Sequence, residues 1–218
     1  LVGSEMCIRD RGSNARFLSR DIITEFRGRG DELHIQPLSF AEFMSVYNGN
    51  KYDGWNEYVL YGGLPPVVLL PTSEQKIELL KNLFQETYIN DIVGRHSIKN
   101  KAEFEELIDI LSSGIGSLTN PKKLADTFKS KKNKTISQNT IKSYLDYLCD
   151  AFIVSRATRY DIKGRKYIDT PQKYYFSDIG LRNARINFRQ IEETHTMENI
   201  IYNELVGRGY NVDAVSYT

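Results

Sequence analysis

The 218-residue sequence contains few of the residues that bind metals or form disulfides, and it has no long hydrophobic run. Its two cysteines, Cys7 and Cys149, cannot supply a disulfide framework or a zinc site. Its three histidines, His34, His96 and His195, have no partner at the spacing of metal ligands. No apolar stretch approaches the roughly 20 residues that cross a bilayer. The composition therefore predicts no membrane partner and a reducing, cytoplasmic compartment.

A strong charge of either sign is also absent. Lys and Arg total 29, Asp and Glu total 28, and the formal net charge at pH 7 is +1. Such a chain has no overall attraction to nucleic acid, so electrostatic binding has to come from local patches. The hydrophobic share of 40% is ordinary and predicts a globular chain of one large or two modest domains.

Signatures of a complete hydrolase are missing as well. The sequence has no Gly-x-x-x-x-Gly-Lys-Ser/Thr phosphate loop, and no Ser-His-Asp or Cys-His arrangement can be argued from it. A nucleotide site needs phosphate donors and a carboxylate that holds magnesium. The chain alone is therefore not expected to hydrolyse nucleotides.

The second half of the chain has a clear helical pattern followed by two strand-like runs. Residues 101–113 carry apolar side chains on one face, Pro121 suits the first turn of a second helix, and Ser137 can cap a third. A polar loop is expected over residues 129–134. The strand-like runs are residues 152–160 and 173–176. Three helices and then a hairpin predict a winged helix-turn-helix over residues 98–178.

Local basic charge is concentrated in this unit. Six lysines face one aspartate over residues 121–134, and six Lys or Arg residues face two aspartates over residues 156–173. In a winged helix the third helix enters the major groove, while the wing and the preceding loop contact phosphates. The candidate DNA-binding residues are Lys131, Lys132 and Lys134 in the loop, Gln138, Asn139 and Lys142 on the third helix, and Arg159, Lys163, Arg165 and Lys166 in the wing.

A second interpretation of the same residues remains open. The charged face can be a solvated surface on a non-enzymatic adaptor or regulator whose partner is a protein. Salt dependence separates the two, because DNA binding weakens steeply as salt rises.

The first half contains shorter helical patterns. Helices are predicted over residues 38–47, 55–61 and 73–93. In the longest of them, Ile77, Leu80, Phe84 and Tyr88 make one apolar face. An earlier helix is predicted over residues 17–26, and a further one over residues 198–205. The fold class is therefore mainly α with a small β component.

Several phrases in the sequence match a known family. They are residues 12–43, Tyr58-x-x-Tyr61-Gly62-Gly63-Leu64-Pro65 and Tyr88-Ile89-Asn90-Asp91-Ile92. They resemble the prokaryotic AAA-type ATPases that carry a DUF4143 region toward the C-terminus. The resemblance implies the end of an ATPase core at 12–36, a helical lid at 37–97, the winged helix at 98–178, and the start of a PD-(D/E)xK nuclease-like region at 179–218.

The same resemblance implies roles for particular residues. Asn14 would orient the attacking water, and Arg29 would reach a neighbouring nucleotide site, which implies self-association. ATP and magnesium would be cofactors of the parent protein, with neither site assembled in this chain. Glu198 and Glu204 would be candidates for the acidic helix residue of the nuclease-like region, or ordinary surface glutamates.

The two ends of the sequence suggest truncation. Residues 1–11 resemble a translated sequencing adapter, although a genuine strand with a charged end is the alternative. At the other end, residues 210–215 resemble the beginning of a strand. The expectation is a fragment of a longer ATPase.

Overall fold

The computed structural model describes residues 33–132, 134–158, 171–189 and 192–214. Within these residues the protein is mainly helical and has one two-stranded antiparallel sheet, which confirms the predicted mixture of helices and a small β component. The elements are α1 (Phe40–Val46), α2 (Lys51–Tyr61), α3 (Pro65–Val68), α4 (Ser73–Asn82), a π-helical segment (Leu83–Ile89), α5 (Asn90–Arg95), α6 (Lys101–Ser113), α7 (Pro121–Lys132), α8 (Gln138–Asp150), β1 (Val154–Ala157), β2 (Lys173–Phe176), α9 (Ile179–Arg185) and α10 (Glu193–Gly207).

Local capping fixes the first two helices. Ser39 and Glu42 form a reciprocal capping box at the start of α1. The side chain of Asn50 accepts hydrogen bonds from the backbone of Tyr52 and Asp53, both at 2.9 Å, and so α2 begins at Lys51. The sequence predicted a start four residues later, at residue 55, and so missed the cap at Asn50.

The long helix predicted over 73–93 is continuous but not uniformly α-helical. Its middle, Leu83–Ile89, is π-helical, and this changes which side chains face the core. Phe84 and Ile89 are five residues apart and both are buried, whereas the predicted core residue Tyr88 is only half-buried. The 3.6-residue spacing used for the prediction therefore fails after Phe84.

The second half follows the predicted element order. Helix α6 and strand β2 have the predicted bounds, and Ser137 caps α8 by accepting a hydrogen bond from the Thr140 N–H at 3.0 Å. Helix α7 continues to Lys132, so the loop predicted to begin at residue 129 starts later. Strands β1 and β2 are antiparallel, with Val154 opposite Phe176 and Ala157 opposite Lys173.

A second strand-like contact lies on the outer edge of β2. The connection between α6 and α7 pairs with the chain just before β2. The Thr119 N–H donates to the backbone carbonyl of Gln172 at 2.8 Å, and the Gln172 N–H donates to the backbone carbonyl of Thr119 at 2.7 Å. This antiparallel bridge fixes the connection between α6 and α7 against the chain that leads into the hairpin.

Helix α9 lies at the centre of one continuous hydrophobic core that runs from Phe43 to Ile200. It packs against α2, α4 and α6. Buried Arg182 donates to the Ser112 oxygen at the end of α6, and buried Asn183 donates to the Val59 and Leu60 oxygens of α2. The boundaries predicted at residues 97 and 178 stay predictions.

A buried carboxylate connects α9 to the turn after α2. Asp178 is 3% exposed and accepts hydrogen bonds from the Gly63 N–H at 2.8 Å and the Leu181 N–H at 3.1 Å. Two glycines allow the first turn of α9 and its Asp178 carboxylate to lie this close to the end of α2. Gly62 has a φ of 77°, and a Cβ there would overlap the Asp178 carboxylate; a Cβ at Gly180 would overlap the Tyr61 carbonyl oxygen.

Burial raises the pKa of Asp178 from its usual 3.8 to about 6, while backbone N–H donors, first among them Gly63, oppose the rise. The folded protein therefore binds this proton more tightly than the unfolded chain does. Stability contributed by this group is fully present below about pH 4 and is lost as the pH rises through about 6.

We expect Gly180→Ala to lower the free energy of unfolding by roughly 1–3 kcal/mol, because the new methyl group would force the backbone of α9 away from Tyr61. The measurement is urea unfolding followed by circular dichroism. Gly94→Ala in α5 is the matched control, since its Cβ would meet no atom within 4 Å. The control should be unchanged or up to about 1 kcal/mol more stable, and equal effects of the two changes would contradict the packing argument.

We expect Asp178→Asn to reduce stability at every pH, because an amide cannot accept from both backbone donors and leaves one unpaired. The variant should also lose part of the wild-type pH dependence. Between about pH 4 and pH 7 the wild-type stability should fall relative to the variant by on the order of 1–3 kcal/mol. Parallel stability curves for the two proteins across this range would show that Asp178 does not titrate there.

Candidate nucleic-acid interface

The outer face of α8 presents the polar residues that the sequence predicted for contact with bases. Gln138, Asn139 and Lys142 are all exposed. The opposite face is buried in the core through Ile141, Tyr144, Leu145 and Leu148. Helical periodicity therefore predicted correctly which side of this helix is exposed.

Helix α7 contributes cations beside α8. Lys122 and Lys129 are exposed, and Lys123 is exposed with its ammonium donating to the Leu118 oxygen at 3.0 Å. Lys131 and Lys132 lie in the last turn of α7, and their side chains are outside the described residues. The helix begins with Asn120 accepting from the Lys123 N–H at 2.7 Å.

Three of the basic residues counted in the sequence are paired with acids. Lys134 lies 3.1 Å from Glu106 Oε1, Arg156 lies 2.5 Å from Asp146 Oδ1, and Lys173 lies 2.5 Å from Glu198 Oε1. Each pair is partly exposed, so its net contribution to stability is about 0–1 kcal/mol. The local positive charge available to a ligand is smaller than the sequence count indicates.

Several predicted site residues lie outside the described residues. Among them are Asn14 and Arg29, and with Arg29 the expected self-association contact. Arg159, Lys163, Arg165 and Lys166, which the sequence predicted to form a wing, are outside as well. Their assignments stay predictions. The described residues nearest this stretch include Gln172, which pairs with Thr119.

Helix α10 holds the hairpin through a contact that the sequence analysis missed. The Asn199 side chain accepts from the Phe176 N–H and donates to the Phe176 oxygen, both at 2.7 Å. Asn203, one turn later, donates to the Phe176 and Ser177 oxygens. Two asparagines four residues apart on a helix were the available signal, but the sequence does not show which strand they face.

Glu198 and Glu204, the candidate acidic residues of α10, each have cationic partners. Glu198 accepts from Lys173 and from the Tyr175 hydroxyl at 2.6 Å, and Glu204 accepts from Arg208 at 2.5 Å. Across the described ranges no group of three His, Cys, Asp or Glu residues is arranged to hold a metal ion.

His34, His96 and Cys149 pack against other side chains. His96 stacks on Tyr147 with ring centroids 3.7 Å apart, and His34 lies 4.5 Å from the Phe152 ring. Burial raises the pKa of Cys149 to about 11, so this thiol is not an activated nucleophile. No helix in the described part of the chain is long and apolar enough to cross a membrane.

Comparison with known proteins identifies the family. Residues 52–192, which run from the second residue of α2 to beyond α9, match the domain of unknown function DUF8612, and the chain belongs to this family. It is 37% identical over 207 residues to an uncharacterized protein of Haemophilus influenzae, covering 93% of this chain and 51% of the relative. It is 30% identical over 211 residues to an uncharacterized protein of Methanocaldococcus jannaschii, covering 91% of this chain and 47% of the relative. The chain thus spans about half the length of these relatives, and no solved structure matches it significantly.

The predicted membership of the AAA-type ATPases with a DUF4143 region is wrong, because the matching family is DUF8612. Two of the phrases that carried the resemblance, at residues 58–65 and 88–92, are short, and the Gly and Pro of the first recur in unrelated turns. The expectations of ATP, magnesium and a nuclease-like region rested on that resemblance and stay untested.

We expect Asn199→Ala to lower the free energy of unfolding by about 1–3 kcal/mol, since it leaves the buried N–H of Phe176 without this acceptor, while the Phe176 carbonyl keeps the Asn203 amide. Thermal or urea unfolding measures the change. Asn139→Ala on the exposed face of α8 is the matched control and should change stability by less than about 0.5 kcal/mol. A similar small effect for both variants would mean that water replaces the Asn199 contact without cost.

Proposed function

We propose that residues 98–178 form a winged helix-turn-helix that binds duplex DNA, mainly through its phosphates. The observation that carries this proposal is the bridge between Thr119 and Gln172. Through this bridge the connection between α6 and α7 becomes a short strand at the edge of the hairpin. The order of elements is then helix, short strand, helix, helix and hairpin, which is the order of a winged helix-turn-helix. The third helix of the unit is α8.

The exposed residues of α8 suit groove contacts. The N-terminal residues of a recognition helix are those that reach base edges. Asn139 and Gln138 lie in the first turn of α8, and amides of this kind pair with adenine through two hydrogen bonds. Lys142, one turn further, can contact a phosphate or a guanine. These three side chains would supply the sequence preference.

The surrounding cations would supply affinity. Lys122 and Lys129 on α7 are exposed, and the wing sequence adds Arg159, Lys163, Arg165 and Lys166. Contacts to phosphate fix the position of a protein on DNA without reading its sequence. Because the net charge of the chain is only +1, binding through this surface should be moderate and highly sensitive to salt.

A protein-binding adaptor is the second candidate, and two observations favour it. Lys134, Arg156 and Lys173 are already paired with acids. On α10, Met197 is 45% exposed and Ile201, one turn later, is 51% exposed, which gives an apolar surface outside the core. An adaptor would use such a surface and would not respond to DNA.

The test is fluorescence anisotropy with a labelled duplex across a salt series. We expect affinity to fall steeply between about 50 and about 200 mM salt, as phosphate contacts require. Lys142→Gln should weaken binding about threefold. It should also reduce the slope of the logarithm of the binding constant against the logarithm of the salt concentration by about one. Lys81→Gln, which removes an exposed lysine from α4 in the other half, is the matched control and should bind like the wild type.

Two results would contradict DNA binding. The first is absent or salt-independent binding by a protein that circular dichroism shows to be folded, and this result would favour the adaptor. The second is an equal loss for Lys142→Gln and Lys81→Gln, which would mean that any positive charge on the surface contributes and that α8 has no special role.

A further inference from the structure

Asp146 lies on the same face of α8 as the candidate DNA-binding residues. It follows Lys142 by one helical turn and Asn139 by two, and side chains at these spacings share one face of an α-helix. Asn139 and Lys142 are exposed, whereas the Asp146 side chain is only 28% exposed. Another side chain therefore covers the outer face of α8 at this position.

The covering group is the guanidinium of Arg156, which comes from β1. Its Nη2 donates to Asp146 Oδ1 at 2.5 Å. Arg156 is directly opposite Tyr174 in the hairpin, and the guanidinium lies 5.8 Å from the centre of the Tyr174 ring. Opposite residues of two paired strands project from the same face of the sheet. This face of the hairpin is therefore the one turned toward α8, and it places a cation on the outer surface of that helix.

Two contacts hold Arg156 in one orientation. Asp146 binds the guanidinium from the helix, and the Tyr174 ring supports it from the hairpin. The ring is itself fixed, because Tyr174 is 4% exposed and its hydroxyl donates to Gln172 Oε1 at 3.1 Å. An arginine that is ordered in this way loses less rotamer freedom when it binds a ligand. The Arg156 side chain remains 31% exposed, so it can be reached from the outer face of α8.

The charge of this pair suits the recognition of a base better than the binding of a phosphate. Asp146 neutralises Arg156, and a carboxylate beside the guanidinium repels phosphates. The planar fork of a guanidinium matches the O6 and N7 acceptors of guanine, which is the commonest specific contact in the major groove. A neutral but oriented arginine would thus add sequence preference with little general affinity.

We propose that Arg156 is a specificity-determining residue that contacts a guanine, and that Asp146 is the positioning residue that orients it. The proposal rests on the DNA-binding function proposed above. The terminal nitrogens of Arg156 would donate to O6 and N7 of one guanine beside the second half of α8. Asn139 and Asp146 are about 10 Å apart along the helix. The guanine is therefore a different base from the one that Asn139 contacts.

The test begins with selection of a preferred duplex from a random library by the wild-type protein. Fluorescence anisotropy then gives the affinity for the selected duplex and for a scrambled duplex of the same composition, and their ratio is the sequence preference. Arg156→Lys keeps the charge but loses the planar fork. We expect the preference to fall about five- to fiftyfold, with the salt dependence nearly unchanged. A repeated selection should lose guanine at one position, distinct from the position affected by Asn139→Ala.

Asp146→Asn tests the positioning role, because it keeps the shape of the side chain and removes its charge. We expect binding to the scrambled duplex to become about two- to fivefold tighter as the repulsion of phosphates is lost, while the preference falls. A purely structural link between α8 and the hairpin would instead weaken binding to both duplexes equally. Asp91→Asn in α5 is the matched control, since Asp91 is paired with Arg95 at 2.6 Å outside this unit. It should bind both duplexes as the wild type does.

The outcomes separate this inference from the proposed function. Salt-dependent binding by the wild type without any preferred duplex would overturn the inference and leave phosphate binding intact. A preference that is unchanged in Arg156→Lys and Asp146→Asn would overturn the inference in the same way. Absent DNA binding by the folded wild type would overturn both. Thermal unfolding checks each variant, and if one of the two fails to fold, the preference of the other decides.

Discussion

The fold depends on the buried carboxylate of Asp178, which bonds at once to the turn after α2 and to the first turn of α9. Its two oxygens accept from Gly63 and Leu181, and no larger residue fits at Gly62 or Gly180 without overlapping these groups. Hydrogen bonds are directional, so this contact fixes the angle at which α9 enters the core, which apolar contacts alone would leave variable. Arg182 and Asn183 on α9 then attach to α6 and α2. Through α9, α6 of the candidate DNA-binding unit is joined to α2 of the first half.

Elements with local signals were predictable from the sequence, and elements that depend on distant partners were not. Helix α6 and the cap at Ser137 follow from periodicity and from one side chain acting within its own turn. The π-helical segment was missed because nothing local distinguishes it from α-helix. The outward face of α8 was predicted, but the pairing of Lys134 with Glu106 and of Lys173 with Glu198 was not, because the partners lie 28 and 25 residues apart. A count of charges along a sequence cannot show such neutralisation.

The predicted family was wrong for a similar reason, because it rested on local signals in the sequence. Short phrases around Tyr58–Pro65 and Tyr88–Ile92 suggested a family, whereas the match to DUF8612 extends over residues 52–192 and includes both halves of the described chain. The first of those phrases contains Gly62, which makes room for Asp178, and Gly63, whose N–H donates to it, so its Gly-Gly sequence has a packing explanation. A motif that packing requires is weak support for a shared activity.

The contact of Asn199 with Phe176 has a consequence for how this protein behaves when it is partly unfolded. The outward-pointing backbone groups of β2 are occupied at one end by Thr119 and at the other by the amide of α10. A two-stranded hairpin left uncovered is a template for strand addition from another chain. Loosening of α10 would expose the backbone groups of Phe176, and strand addition from another chain, by domain swapping or ordered aggregation, would have an edge to start from.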